Sequence, residues 1–304
     1  MNAKSSAMSG APLEPQERGP VRPPVRPLYW LIRRELWENR SLYIAPLITA
    51  ALVLFGFLIA TIGRAMATAD PVGKAAVFAE RNNFAQLLIM ATTFIVAVVY
   101  CLDALHGERR DRSILFWKSL PVSDLTTVLS KASIPVIVLP VLTFVVTLAT
   151  QWIMLLMMSA AMLASGLSPT ALWRLSLVQI SLLFFHLLAI HGLYYAPIYG
   201  WLLLVSAWAR RAAFLWAGLP LLAIGVVEKV GFNTTHFATM LGNRLSGGDE
   251  APSYPMVDSA AMHHQLTLLT LGRFLVSPGL LAGLLLAAVF LAAAVRLRHS
   301  REPI

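Results

Sequence analysis

Six stretches without a single Asp, Glu, Lys or Arg divide this chain of 304 residues. They enclose 23 residues between Arg40 and Arg64, 21 between Arg81 and Asp103, and 42 between Lys131 and Arg174. Three more enclose 35 between Arg174 and Arg210, 16 between Arg211 and Glu228, and 22 between Arg273 and Arg296. A helix rises about 1.5 Å per residue, so roughly 20 apolar residues cross the hydrocarbon of a bilayer. A water-soluble domain has about a quarter charged residues and about 45–50% apolar ones; this chain has 13% and 58%. That balance leaves too little polar surface for a soluble enzyme, and it excludes a disordered chain. Cys101 is the one cysteine, which excludes internal disulfides and multi-cysteine metal centres.

The runs convert to six spans of an all-α polytopic membrane protein. The 42-residue run leaves the membrane at Ser165-Gly166-Leu167-Ser168-Pro169, whose Gly, Ser and Pro form a turn. The 35-residue run is too long for one upright span and too short for two, so it reads as one long helix bent near Pro197 and Gly200. The 16-residue run suffices if Glu228 and Lys229 sit at the headgroups. The expected spans cover about residues 43–62, 84–102, 134–158, 172–208, 212–230 and 279–296.

Basic residues orient such a chain. With both termini cytoplasmic, the inner segments hold 17 of the 24 Lys and Arg. The net charge of +9 is therefore an address in the membrane rather than a nucleic-acid footprint. Residues 1–27 are polar and carry Pro12, Pro15, Pro20, Pro23, Pro24 and Pro27, the composition of a disordered cytoplasmic tail. Residues 28–304 are expected to form one membrane domain. It opens with an interfacial helix over Leu28–Ser41, in which Trp30, Leu31, Ile32, Leu36 and Trp37 face Arg33, Arg34, Glu35 and Glu38 across the helix.

One inner connection is long enough to do more than turn the chain. From His106 to Asp124 it begins with dense alternating charge, continues with Ile114, Leu115, Trp117 and Leu120 at near-helical spacing, and stops at Pro121. Ser123 or Asp124 then caps the next helix. The segment resembles the loop between spans two and three of ABC-2 type transporter permeases. Glu108 and Arg109 match the start of that motif, Asp111 its acidic position, Ile114 and Leu115 its apolar pair, and Leu120-Pro121-Val122-Ser123 its end. Arg112-Ser113 replaces the usual Gly-Thr. The motif covers about sixteen residues; the six-span order, the interfacial helix and the long outer segment before the last span extend the resemblance over nearly the whole chain.

The resemblance implies a permease subunit that pairs with a second one, here a homodimer, above two separate cytoplasmic ATPase subunits. ATP and Mg would be bound by those partners, and this chain would need no cofactor or metal of its own. The loop becomes a coupling helix seated in the ATPase. Glu108, Arg109, Arg110, Asp111 and Arg112 are its expected polar contacts, and Leu115, Phe116 and Trp117 its apolar anchors. The implied location is the inner membrane of a bacterium, and the implied cargo is an amphipathic or hydrophobic molecule moved outward.

Other signals are weaker. No Walker A pattern is present, and Leu245-Ser246-Gly247-Gly248-Asp249 imitates an ATPase signature on the wrong side of the membrane, so it reads as a turn. Gln179, His186 and His191 fall inside the fourth span, where polar groups turn towards a bundle interior, a substrate path or a subunit interface. The neighbouring Glu228 and Lys229 read as a mutually neutralised structural pair. Between spans five and six, about residues 231–277, the outer segment is expected to re-enter the membrane in part. Two other classes compete. An intramembrane hydrolase would need a carboxylate or serine beside a membrane-depth His, and no carboxylate lies centrally in a span; an anchor or sensor subunit would use the loop for docking alone.

Overall fold

A computed structural model describes residues 27–64, 71–111, 123–170, 172–173, 187–246 and 276–300. These residues are helical apart from short turns, and no strand occurs among them. Helix α1 covers Pro27–Glu38, α2 Ser41–Arg64, α3 Pro71–Ala104 and α4 His106–Arg110. After the 112–122 segment come α5, Asp124–Ser133, and α6, Leu139–Ala164, joined by a π-helical turn at Ile134–Val138. A second π-helical segment, Leu187–Tyr194, leads into α7, Ala196–Trp208. Helix α8, Ala213–Val227, runs into a third at Glu228–Phe232. Helix α9 is His236–Ser246 and α10 is Pro278–Ser300.

Among the described residues five helices are long and apolar enough to cross a membrane: Ser41–Thr61, Val77–Arg110, Asp124–Ala164, Ala213–Phe232 and Pro278–Ser300. Ala196–Trp208 is apolar but shorter. Where the sequence suggests a bent helix at Pro197, the structure has π-helical geometry up to Tyr194, a turn at Tyr195, and α-helix from Ala196. Pro197 occupies the first turn of α7, where its missing N–H costs no hydrogen bond. Helix α3 starts thirteen residues before the expected span, with Glu80 and Arg81 inside it. The third long helix leaves at Ser165, and Gly166 takes the left-handed conformation (φ 73°) that glycine adopts without strain.

Packing follows heptad-like spacing. Helix α6 buries Thr143, Val146, Thr147, Thr150, Gln151, Met154, Leu155, Met158 and Met162 on one face. Along α3, Phe78, Ala85, Ile89, Ala97 and Cys101 do the same. Phe57 of α2 joins Phe78, Met154, Leu155, Met158 and Met162 in one cluster, and Ala50, Ile89 and Val146 form another. A larger cluster ties Leu42, Tyr100, Cys101, Ile134, Leu139, Tyr199, Leu203 and Ala213 together. Helix α10 lies along α7 so closely that Gly200 stands against the Ala287 backbone, the small-residue contact that membrane helices favour.

The first and second π-helical segments touch. A β-carbon on Gly192 would lie 2.3 Å from the Val136 carbonyl oxygen, so only glycine allows this approach. The insertion of an extra residue per turn realigns both helices where they cross. Gly192→Ala is expected to destabilise the fold by about 1–3 kcal/mol, measured as a lower unfolding midpoint in detergent. Gly218→Ala, with nothing within 4 Å of the added carbon, should leave the midpoint unchanged or raise it.

At the other end, the chain turns from α7 to α8 through Ala212, a non-glycine residue at φ 50°. That conformation strains an L side chain by about 1–2 kcal/mol. Ala212→Gly is expected to raise the unfolding midpoint, and a fall would show that the alanine methyl packs usefully there.

Candidate functional site: a buried ion chain at the root of the 106–124 loop

The end of the bundle that carries the loop is held by charge. Glu35 comes from α1, Glu108 from α4, Asp124 and Lys131 from α5, and Arg298 from the last turn of α10. Lys131 Nζ lies 2.7 Å from Glu35 Oε1 and 3.2 Å from Glu108 Oε1. Arg298 Nη1 donates to Glu108 Oε2 at 2.5 Å, and its Nε to Asp124 Oδ1 at 3.0 Å. Tyr100 of α3 adds its hydroxyl to Glu35 Oε2 at 3.0 Å. The result is one continuous chain, Glu35–Lys131–Glu108–Arg298–Asp124, in which carboxylates and cations alternate. Glu35 and Lys131 are each 3% exposed and Arg298 is 5% exposed, so the pairs are shielded from solvent except at Asp124, which is partly open. Screening by salt is correspondingly weak for them.

Local sequence explains how each group arrives. Ser123 caps α5, its Oγ accepting from Thr126 N at 3.1 Å, and this directs Asp124 and Lys131 from successive turns. Asp124 in that first turn also suits the positive end of the helix dipole, as Arg298 suits the negative end of α10. On α1, Leu31 and Glu35 lie one turn apart and face the protein. The expected apolar stripe on this helix is therefore divided. Ile32 and Leu36 pack partly against the core, whereas Trp30 and Trp37 are exposed and Arg33 lies over both rings, 5.4 Å and 4.7 Å from their centroids. Glu35 does not belong to the solvent-facing set in which its charge placed it.

A second set of bonds fastens the same root to α7. Arg109 Nη1 donates to the carbonyls of Ala207 at 2.7 Å and Ala209 at 3.3 Å, at the C-terminal end of that helix. Those carbonyls lack helical partners and carry the negative end of the dipole, so a guanidinium satisfies both needs. Ser206 Oγ accepts from the Leu105 and His106 amides at 3.0 Å and 2.9 Å. His106 Nδ1 is 3.2 Å from Ala209 O.

Of the loop residues singled out from sequence, Glu108 and Arg109 thus face the chain's own interior, 8% and 5% exposed. Arg110 and Asp111 are on the surface, paired to each other at 3.1 Å. Arg112, Leu115, Phe116 and Trp117 lie outside the described residues, as do Gln179, His186 and the outer segment at 247–275. His191 is buried at 4% exposure beside the rings of Phe94 and Tyr195, well away in sequence from the ion chain. Glu228 is not neutralised by Lys229. Its carboxylate accepts from the His236 and Phe237 amides and the Thr234 hydroxyl, at 2.6, 2.8 and 3.0 Å, and so caps α9.

No family model, curated protein or solved structure matches this chain. Five residues of the two bonded sets, Glu35, Asp124, Lys131, Ser206 and Arg298, carry no motif, and of these Lys131 alone stands at the border of one of the six charge-free runs.

Removing one member leaves a buried charge unpaired, which costs about 3–5 kcal/mol. Lys131→Met is expected to do so for Glu35, while Glu108 keeps Arg298, and to lower the unfolding midpoint sharply. The double variant Lys131→Met with Glu35→Gln should recover part of that loss, with a coupling energy of about 1–3 kcal/mol; additive losses in a double-mutant cycle would refute the pairing.

Proposed function

We propose that the chain is the membrane subunit of an ABC exporter, driven by separate ATPase subunits that dock on the 106–124 loop. The observation that carries this reading is the anchoring of the loop's root. Glu108 and Arg109, at one end of the loop, and Asp124, at the other, bond directly to α5, α7 and α10, and Lys131 extends the same chain to Glu35 of α1. A loop tethered only by its two strands would absorb a push from below by bending. One whose ends are fixed to neighbouring helices by ion pairs and by bonds to helix-end carbonyls passes the displacement on, as a coupling element requires.

On this reading the expected contact residues divide by task. Glu108 and Arg109 fasten the loop to the spans, while Arg110, Asp111, Arg112, Leu115, Phe116 and Trp117 meet the ATPase. The fourth of its six spans contains the second π-helical segment and α7. The charged end faces the cytoplasm together with both chain termini, and Trp30 and Trp37 sit at the inner headgroups around Arg33. Two copies form the permease, and the cargo is amphipathic or hydrophobic.

Affinity purification of the full chain in mild detergent is expected to bring down an ATPase carrying Walker A and signature motifs. Trp117→Ala and Asp111→Lys should each remove about 2 kcal/mol of docking energy, roughly a thirtyfold loss of affinity. Transport in proteoliposomes should fall while the protein remains folded. Unchanged ATPase binding and transport in both variants would refute the assignment.

A further inference from the structure

The membrane helices contain a second polar surface that the ion chain does not use. Helix α6 buries Thr143, Thr147, Thr150, Gln151 and Ser159, and α3, packed against it, buries Asn82, Gln86 and Thr93. Thr143 donates to Thr93 Oγ1 at 3.0 Å. Ile89 with Val146, and Ala85 with Met154, share clusters, so the two helices run antiparallel and Gln86 stands level with Thr150 and Gln151. No Asp, Glu, Lys or Arg is among the seam's members.

A hydroxyl in a membrane helix has a local solution, donation to the carbonyl four residues back. Thr93 and Thr150 take it, whereas Thr143 gives its one proton to Thr93 Oγ1. Thr147 does neither. Among the described residues, Thr147 Oγ1, Ser159 Oγ and both polar atoms of Gln151 have no hydrogen-bond partner. Gln151 is 4% exposed and Thr147 1%, so neither is compensated by solvent. A leucine at 151 would hold the helices together at lower free energy, because an unpaired buried amide opposes folding. Thr147 and Gln151 lie one turn apart on one face, and that face continues through Met154, Met158 and Met162, which pack with Phe57 and Phe78. Thioether side chains adapt to varied apolar shapes.

We infer that Thr147 and Gln151 bind the uncharged polar head of an amphipathic molecule, a carboxamide or a hydroxyl, whose apolar body lies along the methionine wall. A carboxamide is the better match, since Gln151 offers both a donor pair and an acceptor. A carboxylate or ammonium would enter without a counter-charge and is rejected. As a statement of transported cargo this rests on the exporter reading; as a binding site it does not.

The test uses the full chain in lipid nanodiscs without any ATPase, so it is indifferent to the outcome of the purification above. Dodecanamide is expected to raise the unfolding midpoint of the native chain by a few degrees, 1-dodecanol to raise it less, and dodecanoate and dodecylammonium not at all. Gln151→Leu should unfold at a higher temperature than the native chain and bind dodecanamide at least tenfold more weakly, while Ile153→Leu, on the exposed side, should bind normally. The inference is overturned if dodecanamide leaves the native midpoint unmoved, if it stabilises Gln151→Leu equally, or if Gln151→Leu is the less stable protein, which would mean that the amide is already bonded inside the bundle.

Discussion

A carboxylate moved from water into a protein interior loses several kcal/mol of hydration and must recover it from a cation. Glu108 solves this with two, Lys131 and Arg298, and each of those cations is shared with another carboxylate, Glu35 or Asp124. Every link therefore depends on its neighbours, and the alternation fixes where α1, α4, α5 and α10 stand relative to one another. Three acids meet two bases in the chain, and Arg109, beside Glu108 in sequence but turned to the α7 carbonyls, brings charge to balance. Well-packed apolar residues could hold the same helices with less desolvation. They would not discriminate between helix registers as a set of five matched charges does.

That constraint governs the neighbouring structure. With Glu35 directed inward, the exposed side of α1 is left with Trp30, Trp37 and Arg33. Aromatic rings around a guanidinium form an amphipathic surface suited to headgroups rather than to bulk water or hydrocarbon. With Arg298 held at the tip of α10, that helix lies along α7 at the distance of Gly200 against Ala287. The crossing of Gly192 and Val136 fixes the π-helical segment that leads into α7. The bundle is thus pinned by electrostatics at its charged end and by close backbone approach further in.

Much of this architecture is legible from residue order alone. Charge-free runs mark the apolar helices because the cost of a charge in hydrocarbon leaves few alternatives, and Gly166 and Ser123 mark their turn and cap through local chemistry that acts over three or four residues. The ion chain is not legible in the same way. Glu35 and Lys131 are separated by 96 positions and Glu108 and Arg298 by 190, and nothing near Glu108 distinguishes a charge that will be buried from one that will be solvated. A dense run such as Glu108-Arg109-Arg110-Asp111 reads as surface, yet its first half is interior and its second half exposed. The π-helical segments are hidden for a related reason, since the extra residue in the turn is set by what the helix meets rather than by its own composition. For Glu228 the neighbouring Lys229 suggested a pair, but the amides that its carboxylate accepts from lie eight and nine residues on.

The two polar regions of the bundle differ in a way that bears on mechanism. At the charged end each ionic group has found its counterpart, an arrangement that resists deformation because any shift leaves a charge unpaired. In the seam between α3 and α6, Gln151, Thr147 and Ser159 remain unsatisfied while Thr93 and Thr143 are bonded to each other, so part of the interface is closed and part is open to exchange of partners. On the exporter reading proposed above, a device that passes a displacement from an ATPase to a cargo needs both properties in sequence: a stiff input that does not absorb the push, and a region beyond it whose interactions are weak enough to be rearranged. The methionine-rich face beside Gln151 supplies the second property on the apolar side, as the unpaired amide does on the polar side. On that reading stiffness at the root of the loop and incompleteness in the membrane are two halves of one design, and exchanging them, with apolar residues at the root and a leucine at 151, would give a more stable bundle that transmits nothing.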